Sequence, residues 1–127
     1  VIRALNQLGY ASLAEITLAT GRRVDAMAID KHGLITVVEV KSSIADFRSD
    51  GKWHEYGEFC DCFYFAVPAD FPQEILPPEP GLFVVDAYGG ALVRPAPQHK
   101  LSAARRKALL ITFGRIAARR LLDVAPT

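Results

Sequence analysis

The chain has two cysteines, one methionine, one tryptophan and three histidines among its 127 residues, and each scarcity excludes something. Cys60 and Cys62 stand too close together for a framework of structural disulfides, and no second Cys or His pair lies near enough to complete a metal site. They read as small apolar fillers beside Phe63 and Phe65. No apolar run approaches the roughly 18 residues of a membrane-spanning helix, and no secretory signal is visible. A reducing, cytoplasmic setting is expected, with no membrane partner. Val1 stands where a Met would, so residues ahead of it are expected and the missing signal has little weight.

Acidic residues run out towards the C-terminus. Residues 1–94 hold 8 Lys+Arg against 13 Asp+Glu, a balance of −5, whereas residues 95–127 hold 7 against the single Asp123, a balance of +6. The net charge of +1 hides this division. Hydrophobic residues make up 50% of the chain, which describes a globular protein. One domain over residues 1–127 is expected, burying about two thirds of its unfolded surface.

In chain order, residues 1–8 suit a helix end stopped by Gly9. Strands are expected at Ser12–Thr20, Arg23–Asp30 and Leu34–Lys41, forming an antiparallel meander. Ser43-Ile44-Ala45-Asp46 matches a loose capping box that opens a helix, and Asp50-Gly51 leads to a second helical segment, Lys52–Phe59. Asp61–Val67 reads as an aromatic strand parallel to Leu34–Lys41. Five of the eight prolines fall in residues 68–80, a loop with at most one helical turn at Gln73–Leu76. Leu82–Ala87 and Ala91–Arg94 form a hairpin, and Ser102–Leu122 is the longest helix. Its apolar face carries Leu109, Leu110, Phe113, Ile116, Ala117 and Leu121, and Arg105, Thr112, Arg115 and Arg119 lie on another. A sheet apolar on both sides calls for helices on both.

Charge concentrates in the second hairpin. With a three-residue loop Lys31-His32-Gly33 and a positive φ at Gly33, paired residues have numbers summing to 64. Asp25 then faces Glu39, and Arg23 faces Lys41. Strict alternation puts Asp25, Glu39 and Lys41 on one face with Met27, Ile29, Ile35 and Val37. Opposed like charges cost up to about 1 kcal/mol across strands, and more on an apolar face unless a cation lies between them. Arg23 and Lys41 would supply that cation as a structural salt-bridge network. A divalent metal would supply it as a site, and an all-oxygen pair suits Mg²⁺. A two-residue loop would send the two carboxylates to opposite faces.

Val24-Asp25, a 13-residue spacer and Glu39-Val40-Lys41 resemble the signature of PD-(D/E)XK nucleases, as does the order helix, meander, helix, strand. Val24 replaces the Pro of the superfamily name. Lys52-Trp53-His54-Glu55-Tyr56 stands where the RecB-like branch has Gln-x-x-x-Tyr, with Lys52 in place of Gln. More closely, Glu39-Val40-Lys41-Ser42-Ser43, Asp46-Phe47, Lys52-Trp53, Tyr56 and the run from Cys60 to Pro68 resemble MmcB-type bacterial DNA-repair proteins. The likeness extends over nearly the whole chain, Arg105-Arg106-Lys107 included.

The resemblance implies an α/β, restriction-endonuclease-like mixed sheet flanked by helices, in a DNA-repair nuclease of the bacterial cytoplasm. It implies that Asp25, Glu39 and the Val40 carbonyl hold Mg²⁺ or Mn²⁺, and that Lys41 orients water or stabilises the transition state. Replacing Asp25, Glu39 or Lys41 by Ala is then expected to abolish cleavage and leave the fold intact. The alternative is a non-catalytic DNA-binding or adaptor module on the same fold, and a third reading is an interaction domain with no nucleic acid. Glu15 is a candidate further ligand if a three-residue turn occupies residues 20–22, and a salt bridge to Arg22 or Arg23 is its structural alternative. Lys52 and Tyr56 share a helix face, as candidates for phosphate contact and for packing or substrate orientation. Trp53 could stack on a base but reads first as packing. Arg105, Arg115 and Arg119 suit a DNA backbone or a solvated face. Other repair proteins are candidate partners, and cutting both strands of a duplex would favour a homodimer.

Overall fold

Gly33, at φ +83°, closes the turn that the register depends on. Asp30 fixes it from below, its carboxylate accepting from His32 N at 2.8 Å and Leu34 N at 3.0 Å. The arms pair as Ala26 with Val38, Met27 with Val37, Ala28 with Thr36 and Ile29 with Ile35, so the sum of 64 holds. In this computed structural model, which describes residues 1–51 and 53–124, the order is α1 (Ile2–Gln7), β1 (Ala11–Thr17), β2 (Arg23–Ile29), β3 (Ile35–Val40) and α2 (Ile44–Ser49). A 3₁₀ segment (Trp53–Phe59), β4 (Cys62–Val67), a short 3₁₀ turn (Gln73–Ile75), β5 (Gly81–Val85), β6 (Gly90–Arg94) and α3 (Ala103–Val124) follow.

The six strands form one mixed sheet in sequence order. β1, β2 and β3 are antiparallel, β4 and β5 run parallel to β3, and β6 turns back. One face packs Met27, Val37 and Phe65 with Tyr56, Phe59 and Leu109 from the 3₁₀ segment and α3. The other uses Ala26, Ala28 and Ala66, whose small side chains leave room for Leu5 of α1. A small α/β domain with helices on both faces results.

Three expectations change. β1 ends at Thr17, because Leu18 N bonds Arg22 O at 2.7 Å and Gly21 takes φ +87°. Residues 53–59 are 3₁₀ and not α: Trp53, Tyr56 and Phe59, three apart, bring one aromatic edge to the core, and Gly57 weakens an α-helix. Positions four apart do not share a face in a three-residue turn, and Lys52 lies outside the described residues. Finally, Leu121 is 68% exposed. The neighbouring Arg120 faces β1, so Leu121, about 100° round the helix, turns away.

Candidate active site

Regular β2–β3 pairing stops at Ala26 and Val38, and the two acidic side chains take over. Asp25 N donates to Glu39 Oε1 at 3.1 Å, and Val40 N donates to Asp25 Oδ2 at 2.8 Å. Each carboxylate thus closes on the backbone of the other strand. Alternation slips at this level. Val24 packs with Met27, and Ala26 packs on the opposite face, so strict period two fails at Asp25. The neighbouring strand slips with it, since Leu13 and Ile16 share a face across Glu15, the one described non-glycine residue with positive φ (+56°). Arg120 of α3 steadies this kink by donating to Ala14 O at 2.6 Å and Glu15 O at 2.9 Å.

Glu39 is buried. Burial first, and then the Asp25 charge, push its carboxyl up to about 8, against the opposing pull of Asp25 N–H and the Lys41 ammonium. At neutral pH it therefore holds a proton unless another cation takes that place. Lys41, also buried, pairs with Asp50 at 2.8 Å and not with the Asp25–Glu39 pair. Burial alone would lower its pKa, but the Asp50 carboxylate overrides this and raises it, so Lys41 stays a cation. Asp50 is placed by α2, whose start is fixed as the capping pattern predicts: Ser43 Oγ accepts from Asp46 N and Asp46 Oδ2 accepts from Ser42 N, both at 3.1 Å.

Tyr56 is buried beside these groups and stacks on Phe63 at 6.0 Å. Burial, then the negative Glu39 and Asp50, raise its hydroxyl pKa, while a hydrogen bond with Arg22 opposes them. Arg22 also pairs with Glu55 at 2.9 Å, and Glu15 is exposed. The turn at residues 19–21 brings Glu15 level with Asp25, yet no group of three metal-ligating side chains converges among the described residues. The donor set is the Asp25–Glu39 pair and backbone. Two oxygen donors, one neutralised only by a proton, suit a divalent cation that keeps several waters.

A family model described as DNA repair protein MmcB-like matches residues 1–127. The chain belongs to the MmcB-like family. Membership points this MmcB-like chain to a role in DNA repair. Among solved structures, the SPO1766 protein of unknown function from Silicibacter pomeroyi is similar, with 47% identity and a TM-score of 0.94 over 98% of this chain and 85% of that one. No curated protein matches. No described helix is long and apolar enough to cross a membrane.

The basic quarter of the MmcB-like chain divides into structural and exposed groups. Arg106 holds Asp61 through two 2.7 Å bonds and donates to Gly33 O at 3.0 Å, tying α3 to the sheet. Asp61, fully buried, also accepts from Ile35 N and Leu101 N. Burial would raise its pKa, but Arg106 and these amides lower it. Sequence reasoning missed this anchor; its one signal is a lone acid heading the apolar run Cys62–Val67. Arg105 donates to Glu58 O at 3.2 Å and lies 4.8 Å over the Phe59 ring, and Arg115 and Arg119 are exposed. Trp53 is partly buried against Phe63 and Phe65.

Proposed function

We propose that this MmcB-like protein is a divalent-metal-dependent nuclease of PD-(D/E)XK type, on a restriction-endonuclease-like fold, that hydrolyses DNA backbone in repair. One observation carries this reading: Asp25 and Glu39 clasp the splayed end of β2 and β3, with Glu39 buried and Lys41 buried next to it. Asp25, Glu39 and the Val40 carbonyl would hold Mg²⁺ or Mn²⁺. When bound, the metal acidifies a water and offsets charge on the phosphoryl oxygens. The protein's part is to keep both carboxylates at fixed distance through backbone N–H bonds, so little reorganisation accompanies reaction. Lys41, kept charged by Asp50, acts as an electrostatic donor to the phosphate and not as a proton acceptor. Tyr56 and Arg22 wall the site on the 3₁₀ side, where they would orient a strand.

A second reading, a non-catalytic DNA-binding or adaptor module, draws support from the Lys41–Asp50 pair, because that ammonium is engaged in an ion pair with Asp50 and not with Asp25 or Glu39. Calorimetry with Mn²⁺ on wild type and Glu39→Gln tests the site itself. The nuclease reading requires binding by wild type that Glu39→Gln loses, and equal heats from both would remove it. DNA cleavage then separates a nuclease from an adaptor.

A further inference from the structure

Two cavities adjoin along the 3₁₀ segment, apart from the residues of the acidic pair. The first, about 210 Å³, is walled by Trp53, Phe63, Pro80 and Pro97, with His54 and Glu79 also lining it. The second, about 340 Å³, is lined by Lys100, Ser102 and Arg105 together with Glu58. Gly57 and His99 belong to both, so an aromatic half meets a basic half. The partly exposed Trp53 ring, backed by the buried Phe63 on which it stacks, suits a stacked base, which any nucleobase can supply. Glu79, when ionised, accepts from exocyclic amino groups, and the imidazoles of His54 and His99 add donors. Lys100 and Arg105 suit phosphate, and Arg105 is already oriented by Glu58 O and the Phe59 ring. Glu79 disfavours phosphate in the aromatic half, whereas Glu58 lies in the basic half and partly offsets Lys100 and Arg105 there.

We propose that the joined cavities bind one unpaired nucleotide of a DNA single strand, with its base against Trp53 and Phe63 and its phosphate at Lys100 and Arg105. A paired, stacked base does not offer its ring faces, so the occupant is unpaired. Phe63 stacks on Trp53 at 5.9 Å and on Tyr56 at 6.0 Å, and Tyr56 feels the Glu39 charge. The aromatic cavity thus adjoins the ring row that ends at Tyr56, beside Glu39. The site rests on the nucleic-acid reading above and supplies it with a preferred substrate, unpaired DNA.

Trp53 is the only tryptophan, so its fluorescence reports the site directly. The full chain, in EDTA to prevent cleavage, is titrated with a labelled mixed-sequence single strand, with tryptophan emission and label anisotropy read together. Saturable quenching is expected, with affinity about tenfold weaker for a blunt hairpin duplex. A Cβ at Gly57 would meet nothing within 4 Å, so Gly57→Leu should fill the junction with the fold kept. Gly57→Leu and Lys100→Glu should each weaken the single strand about tenfold, with melting temperatures unchanged. Binding without quenching, equal binding by Gly57→Leu, or no binding at all overturns the site. Mn²⁺-dependent cleavage without quenching would sink this site and leave the nuclease reading standing; quenching without cleavage would do the reverse.

Discussion

Burial sets Glu39 apart, because its carboxyl keeps a proton that most glutamates give up. Its folded pKa, about 8, lies above the ordinary glutamate range. The sign follows: stability linked to this group is full below the ordinary range and is lost as pH rises through about 8. Without divalent metal, the melting temperature of wild type should therefore fall between acid and mildly alkaline pH, and Glu39→Gln should flatten that fall. Asp25, Lys41 and Tyr56 face the same group and stay in place in this comparison. Parallel melting curves for the two proteins would contradict the burial argument. Lys41→Ala removes the buried ion pair with Asp50, so loss of activity should come with about 2 kcal/mol of lost stability in urea unfolding.

At the scale of elements, the hairpin was legible because loop length, Gly33 and two apolar arms fix register together. Ser43 and Asp46 were legible for the same kind of reason, a local pattern with one geometry. Ser43→Ala should cost about 1 kcal/mol in urea unfolding, and by loosening α2 it should weaken the Lys41–Asp50 pair. What local pattern could not show was tertiary. The phase slip at Asp25 is matched by one at Glu15 in the next strand, whose carbonyl is held by Arg120, 105 residues further along the chain. The three-residue spacing of Trp53, Tyr56 and Phe59 is present in the sequence, but over seven residues it fits a 3.6-residue period nearly as well as a 3.0-residue one. Arg106 and Asp61 are likewise far apart in sequence. Asp61→Asn should destabilise by about 3 kcal/mol, since it leaves Arg106 without its charged partner. A change under 1 kcal/mol would show that α3 is held by its apolar contacts and by Arg120, not by the Arg106–Asp61 pair.

Over the whole molecule, the +6 of the last quarter is a mixed quantity. Arg106 and Arg120 are spent on the fold, and Arg105 is half committed to Glu58 and Phe59. Lys107, Arg115 and Arg119 remain exposed along α3. If these meet DNA phosphates, Arg115→Glu with Arg119→Glu should reduce the slope of log affinity against log salt by about 2. An unchanged slope would assign them to a solvated face. Composition separated a basic end from an acidic body, but only contacts show which cations are available to a partner.

The most direct test of the central claim is cleavage of labelled single-stranded, gapped, branched and duplex DNA in Mn²⁺ by wild type and Glu39→Gln. Glu39→Gln removes the buried carboxylate's charge and leaves the Lys41–Asp50 pair intact. Cleavage by wild type that needs the metal and disappears in Glu39→Gln is the predicted result. Cleavage of equal rate by both proteins, or none by wild type on any substrate, would contradict the assignment of Asp25 and Glu39 as a nuclease centre.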